Sequence, residues 1–150
     1  MSAVNLSKEN PDLYQKISEL DTAVHQAAQE AGLSSTLVEL VKLRISQING
    51  CAFCLRLHTQ EAIKGGESTD RLAVLAAWQE SQYFSEQEMA ALSLAENVNA
   101  IKAEQTDYPP LTQGQVAAIS WIVILMNSWN RIAIHSHYPV APSRQQKVSD

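Results

Sequence analysis

Apolar residues recur at helical intervals along most of the chain, and the breaks between them fall on capping and turn residues. Between Asn10 and Gly32, Tyr14, Ile17, Leu20 and Val24 lie on one stripe, with Asn10 able to cap and Pro11 suited to the first helical position. That spacing predicts a first helix with one buried face. Leu37, Leu40, Val41, Ile45 and Ile48 repeat the pattern from near Thr36 to the turn signal Asn49-Gly50, which predicts a second. A third starts at about Cys51 and runs through Leu55, Leu57 and Ile63 to Gly65-Gly66. Ser68 or Thr69 opens a fourth, holding Leu72, Val74, Leu75 and Trp78. Ser85 and Glu88 have capping-box spacing ahead of Met89, Leu92 and Leu94, the fifth. The stretch from about Gln105 to Leu111, with Tyr108-Pro109-Pro110, reads as a connection, and Thr112 with Gln115 opens a sixth helix.

The sixth helix contains VAAISWIVILM at 116–126, apolar nearly all round except for Ser120. That stretch is too short to span a bilayer and too apolar for a helix buried on one side only. Burial on a second side implies a subunit interface, so a homo-oligomer is expected. The alternative is a central helix wrapped by its own neighbours. Trp121, Met126 and Trp129 follow helical spacing and are expected in the core or an interface, with Asn130 and Arg131 unassigned. The polar tail from Pro139 to Asp150 is expected to pack on a neighbour or to stay mobile.

Composition narrows the class. Five Gly and five Pro in 150 residues leave too little turn chemistry for an all-β protein, while helix formers dominate, so the fold expected is all-α, about six helices. A chain of this length, 45% hydrophobic, suits one domain spanning 1–150. Its net charge of −5, with no dense Lys/Arg cluster, offers nothing to neutralise a row of phosphates, so no nucleic-acid partner is expected. The start MSAVNLSKEN lacks a basic flank followed by an apolar stretch, and a cytoplasmic protein with no membrane partner is expected. In a reducing compartment, two cysteines three positions apart serve redox chemistry or metal binding more often than structural stapling.

Those cysteines are Cys51 and Cys54, at the start of the third helix, where unpaired backbone N–H groups and the helix dipole favour a thiolate. The step from Cys54 to His58 carries the imidazole one turn along the same face. Cys51 is roughly 10 Å from His58 along the axis at 1.5 Å per residue, the poorer client. Glu39, twelve residues before Cys51, returns to the level of residue 60 if the two helices fold back at Gly50, within reach of His58 directly or through a water. An unperturbed thiol is only about 3% ionised at pH 7, and a helix dipole lowers its pKa by less than about one unit, so a base is needed. The assignment is Cys54 as nucleophile, His58 as base and Glu39 as its partner. Attack of Cys54 on a peroxide gives a sulfenic acid that Cys51 resolves as a disulfide, and an external dithiol reopens it, meeting Cys51 as the more exposed sulfur. The cycle requires no flavin or metal cofactor.

Blander readings stand beside this one. Glu39 follows Thr36 by three residues and could complete a capping box. His58 could be an ordinary half-buried histidine among Leu55, Leu57 and Ile63. Cys51, Cys54 and His58 could supply three zinc ligands, although no fourth is evident. Haem attachment needs His directly after the second Cys, and Leu55 stands there. A dithiol that reports oxidation without turning over, in a sensor or scaffold, is the alternative to an enzyme.

Glu39, Cys51-Ala-Phe-Cys54 and His58 together resemble the E-x11-C-x2-C-x3-H motif of AhpD-like alkylhydroperoxidases in the carboxymuconolactone decarboxylase superfamily. The surrounding LRISQINGCAFCLRLHTQEAIKGGE and Asn127-Ser-Trp129-Asn130-Arg131 extend the likeness over most of residues 35–135. The resemblance implies an all-helical fold, assembly into dimers or hexamers, and thiol-dependent reduction of small hydroperoxides, with the second motif cysteine attacking and the first resolving. Some members have a His just before the second cysteine, where this chain has Phe53. The decarboxylase branch lacks the dithiol, so lactone decarboxylation is not expected.

Overall fold

A computed structural model describes residues 3–142. Among them are seven α-helices and one 3-10 helix: α1 (Leu6–Glu9), α2 (Pro11–Glu30), α3 (Ser35–Asn49), α4 (Ala52–Lys64), α5 (Thr69–Val74) with the 3-10 helix Leu75–Glu80, α6 (Glu86–Asn99) and α7 (Gln113–His135). The all-α expectation holds, and α1 is the element that the apolar spacing does not announce. It is a single turn with no buried residue, capped by Asn5.

Helix starts follow side-chain chemistry closely. Ser85 with Glu88 and Thr112 with Gln115 form complete capping boxes, each satisfying two otherwise orphaned N–H groups. Ser34, not Thr36, caps α3, its Oγ accepting from the Leu37 N–H. The segment predicted as one fourth helix instead tightens after Val74 and kinks at Ala77. Leu75 and Trp78 are both buried there, and the threefold repeat of a 3-10 turn points residues i and i+3 the same way. They join Leu40, Leu43, Phe84 and Leu92 in a small apolar cluster beside the main core.

The main core surrounds α7, which packs against α2, α3, α4 and α6. Ile119, Ile122, Val123, Leu125 and Met126 are buried on it, facing Val38, Val41 and Ile45 of α3. The apolar run at 116–126 is part of a 23-residue helix that is long and apolar enough to cross a membrane by length and composition alone, a weak signal that a core helix gives as well. Its neighbours bury nine of its 23 residues, while Trp121 (49% exposed) and Ile124 (46%) remain on an uncovered face. The helix is therefore wrapped by its own chain on several sides and open on one. Pro139 to Pro142 are the only part of the polar tail within the described residues.

Between α3 and α4 the chain reverses in two residues. Gly50 sits at φ +70, a left-handed conformation that costs glycine little and other residues more. Cys51 then caps α4. This tight hairpin lays α3 and α4 side by side, and α7 closes over both.

Candidate active site

The sulfurs lie where the α3–α4 turn meets α7. Cys51 has the extended backbone of an N-cap, and its Sγ accepts a hydrogen bond from the Cys54 N–H at 3.3 Å. The two cysteines are joined as a disulfide with their Cα atoms 5.3 Å apart. Cys51 is thus the capping residue and Cys54 a residue of the first turn, so the two thiols occupy different places at the helix start. Cys51 is 1% exposed and Cys54 4%, both packed in the main core. The expectation that Cys51 is the more accessible sulfur is wrong: its capping role turns it under the helix, while Cys54 borders a cavity.

His58 stands one turn beyond Cys54 on α4, and Nδ1 lies 3.0 Å from Glu39 Oε2 on α3. A carboxylate only accepts, so Nδ1 carries the proton and Nε2 keeps its lone pair. The hairpin therefore brings Glu39 and His58 into direct contact, with no capping duty for Glu39, since Ser34 caps its helix. Among the described residues, His58 makes no hydrogen bond to either sulfur; it meets Cys54 across the cavity that both line. Burial works to raise the Glu39 carboxyl, but the hydrogen bond with His58 and the nearby Lys42 charge prevail and hold it below the ordinary carboxylate value.

Sequence reasoning missed Lys42. Its side chain is 6% exposed, and Nζ donates to Glu39 Oε1 at 3.1 Å, so each carboxylate oxygen has its own partner. The ammonium also contacts His25 Nε2 of α2. His25 in turn turns Nδ1 toward Asp21, 2.8 Å from both the backbone carbonyl and the side-chain Oδ1. The hydrogen bond with Asp21 raises the His25 imidazole, against burial and the Lys42 charge. Glu39 to Lys42 is an i,i+3 step on one helix face, a charge pair inside the otherwise apolar LVELVKL, and that signal was present in the chain.

The cavity holds about 300 Å³. Asp21, Lys42 and His58 make its polar side, and Phe53, Leu57, Met126, Trp129 and Tyr138 its apolar side. Phe53 packs edge-on against Tyr138 with centroids 5.1 Å apart, and Tyr14 against Trp129 at 5.4 Å. Phe53, directly before Cys54, thus puts an aromatic wall beside the sulfur. Met126 and Trp129, expected as plain core or interface, line the site as well. Burial, aided by the nearby Tyr138, pushes the Tyr14 phenol up and keeps it neutral.

Asn130 and Arg131 lie outside the cavity lining. Buried Asn130 donates to Ser46 Oγ at 3.2 Å and accepts from Asn49 Nδ2 at 2.9 Å, tying α7 to the end of α3 just before the Cys51 turn. Arg131 is exposed and donates to Asn127 on its own helix. Among the described residues no group of three or more His, Cys, Asp or Glu is gathered to hold a metal.

The profile of the carboxymuconolactone decarboxylase family matches residues 11–97. The uncharacterised protein YdfG of Bacillus subtilis is 36% identical over 113 residues, which cover 71% of this chain and 77% of YdfG. The uncharacterised protein YnjA of Escherichia coli is 34% identical over 64 residues, 43% of this chain and 35% of its own. A crystal structure from Agrobacterium tumefaciens, of a protein of unknown function provisionally assigned as the antioxidant defence protein AhpD, superposes with a TM-score of 0.80 at 28% identity, covering 95% of this chain and 100% of that one. The helical fold, the Cys-x-x-Cys pair at a helix start and these matches make the chain an AhpD-like member of the carboxymuconolactone decarboxylase family.

Proposed function

We propose that this protein is a thiol-dependent peroxidase that reduces small alkyl hydroperoxides through a Cys51/Cys54 dithiol–disulfide cycle. The observation that carries the reading is the contact of His58 Nδ1 with Glu39, which leaves Nε2 basic in the cavity that Cys54 borders. In the reduced protein, His58 takes the Cys54 proton and Glu39 stabilises the resulting imidazolium. The Cys54 thiolate attacks the terminal peroxide oxygen: an S–O bond forms, the O–O bond breaks, sulfur is oxidised to the sulfenic acid and the peroxide leaves as alcohol once its oxygen is protonated. Cys51 then displaces water to give the disulfide.

The reductant is an external dithiol. Because Cys54 borders the cavity and Cys51 does not, we assign the incoming thiolate to Cys54, with Cys51 leaving as a thiolate that the Cys54 N–H stabilises. This cycle uses no cofactor. The uncovered Trp121/Ile124 face of α7 supports a homo-oligomer, and light scattering that finds only monomer at micromolar concentration removes that part of the reading.

Steady-state hydroperoxide consumption with a panel of dithiols tests the activity. Cys54→Ser abolishes consumption, and Cys51→Ser leaves a sulfenic acid that can be trapped; the reverse result exchanges the two roles. The deep burial of both sulfurs favours one other reading, a redox sensor that oxidises once without turning over. A single stoichiometric oxidation under excess peroxide and dithiol supports the sensor, and sustained turnover supports the enzyme.

A further inference from the structure

We propose that Lys42 is a further catalytic residue, whose ammonium donates a hydrogen bond to the oxygen that leaves when the peroxide O–O bond breaks. This rests on the peroxidase reading above and adds a role that the Glu39–His58 pair does not fill.

An ammonium almost sealed from water carries a large desolvation penalty, and an apolar side chain of similar length between Val41 and Leu43 avoids it. Pairing with Glu39 offsets part of that cost without explaining why a charge is there. Donor accounting goes further. A lysine ammonium has three N–H groups. Glu39 Oε1 takes one. His25 takes a second on Nε2, which is the acceptor nitrogen because Nδ1 faces the Asp21 carbonyl and carboxylate. Among the described residues no acceptor meets the third, and Lys42 lines the same cavity as Cys54 and His58.

The cavity has a polar side and an apolar side, which fits the two ends of a hydroperoxide. The aromatic wall of Phe53, Trp129 and Tyr138 takes the organic group, and the peroxide oxygens fall toward Lys42 and His58. Attack by Cys54 runs along the O–O axis, so negative charge grows on the oxygen away from sulfur. His25 and Glu39 hold the ammonium on two sides, and Asp21 in turn fixes His25, which makes Lys42 a donor set before the reaction rather than one that must reorient. The balance closes without any proton leaving Lys42. The Cys54 proton passes to His58 and from there to the departing oxygen, two electrons move from sulfur to the peroxide, and Lys42 supplies only the hydrogen bond.

The test is the first oxidation of the reduced protein, followed by stopped flow with oxidants whose leaving groups differ. Ethyl and tert-butyl hydroperoxide expel a strongly basic alkoxide, and peracetic acid expels a weakly basic carboxylate. Lys42→Met slows the alkyl hydroperoxides by about 10²-fold and peracetic acid by much less. Equal slowing of all three overturns the proposal, since it means Lys42 acts only by holding Glu39; no slowing overturns it as well. If circular dichroism shows that Lys42→Met does not fold, the unaltered protein carries the test. Its rates then vary less with leaving-group basicity than those of a free thiolate in solution, and an equally steep dependence overturns the proposal. A wild type that no hydroperoxide oxidises sinks the peroxidase reading itself, an outcome distinct from the loss of the Lys42 role alone.

Discussion

Two clusters of charge hold this protein together, and they spend their hydrogen bonds differently. Arg71 on α5 uses all five of its N–H groups: Nε and Nη2 on Glu67, Nη1 and Nη2 on Glu88, and Nη1 again on the Tyr83 carbonyl, with the guanidinium 4.9 Å above the Phe84 ring. Those bonds raise its pKa further still, and nothing there is left to meet a ligand. The Lys42 cluster has as many charges, yet keeps an N–H and the His58 Nε2 lone pair unspent, and both border a cavity with a sulfur in it. Counting charged residues does not separate a joint from a site. Counting what each has left to give does.

The largest effect expected from breaking this contrast comes from one carboxylate in each cluster. Glu39→Gln removes the charge that stabilises imidazolium, and turnover falls by about 10²-fold. Glu88→Gln leaves turnover unchanged and lowers stability by roughly 1–2 kcal/mol, because it weakens bonds to a partly exposed guanidinium and an exposed helix cap. Steady-state rates and urea melts of both variants decide the matter; equal losses of turnover make the distinction between the clusters empty.

The part of the site that could be read from the chain is the part built on one hairpin. Glu39, Cys51, Cys54 and His58 fall within twenty residues, and once Asn49-Gly50 is taken as a reversal, helical geometry alone brings them together. Tyr14, Met126, Trp129 and Tyr138 come from α2, α7 and the segment beyond it, so only the tertiary packing shows that they share a cavity with Cys54. Lys42 lay in between: its spacing from Glu39 was visible, but His25 and Asp21, which fix it, sit on another helix. The relative exposure of the two sulfurs was misread because proximity to a helix start says nothing of which way a capping side chain turns. The fourth helix broke for a similar reason: burial of Leu75 and Trp78 together outweighed the local preference for a continuous α-helix.

Acid separates the clusters less sharply than mutation. In both Glu39 and Glu88 burial acts to raise the carboxyl, and hydrogen bonds from His58 or Arg71 outweigh it, so each folded pKa lies below the ordinary 4.5. A depressed carboxyl contributes stability that is fully present above its unfolded value and is lost as pH falls through the folded one. The carboxylates' share of the denaturant midpoint is therefore flat from neutrality to about pH 5 and declines below that, where unfolded carboxylates begin to bind protons, while the raised His25 adds stability as pH falls from neutrality toward its unfolded value. Glu39→Gln and Glu88→Gln each flatten part of the decline, and a variant with a steeper acid loss than wild type contradicts the sign of the shift.

The smallest effect sharpens the comparison most, because it moves the helix starts without touching the charges. Ser34 Oγ accepts from the Leu37 N–H at the head of the helix bearing Glu39, and Ser85 Oγ accepts from the Glu88 N–H at the head of the other. Replacing either with alanine orphans one N–H and costs about 1 kcal/mol. Ser85→Ala costs slightly more, since Glu88 both closes that capping box and carries Arg71. Turnover stays within about twofold in both, because Glu39 is pinned from two other helices by His58 on α4 and, through Lys42, by His25 on α2, and effects at such separated contacts add rather than couple. Thermal melts and steady-state rates on the two variants check this. A Ser34→Ala protein that keeps its melting temperature yet loses most of its turnover means that the frame of α3, and not the unspent bonds at its far side, sets the chemistry of the cavity.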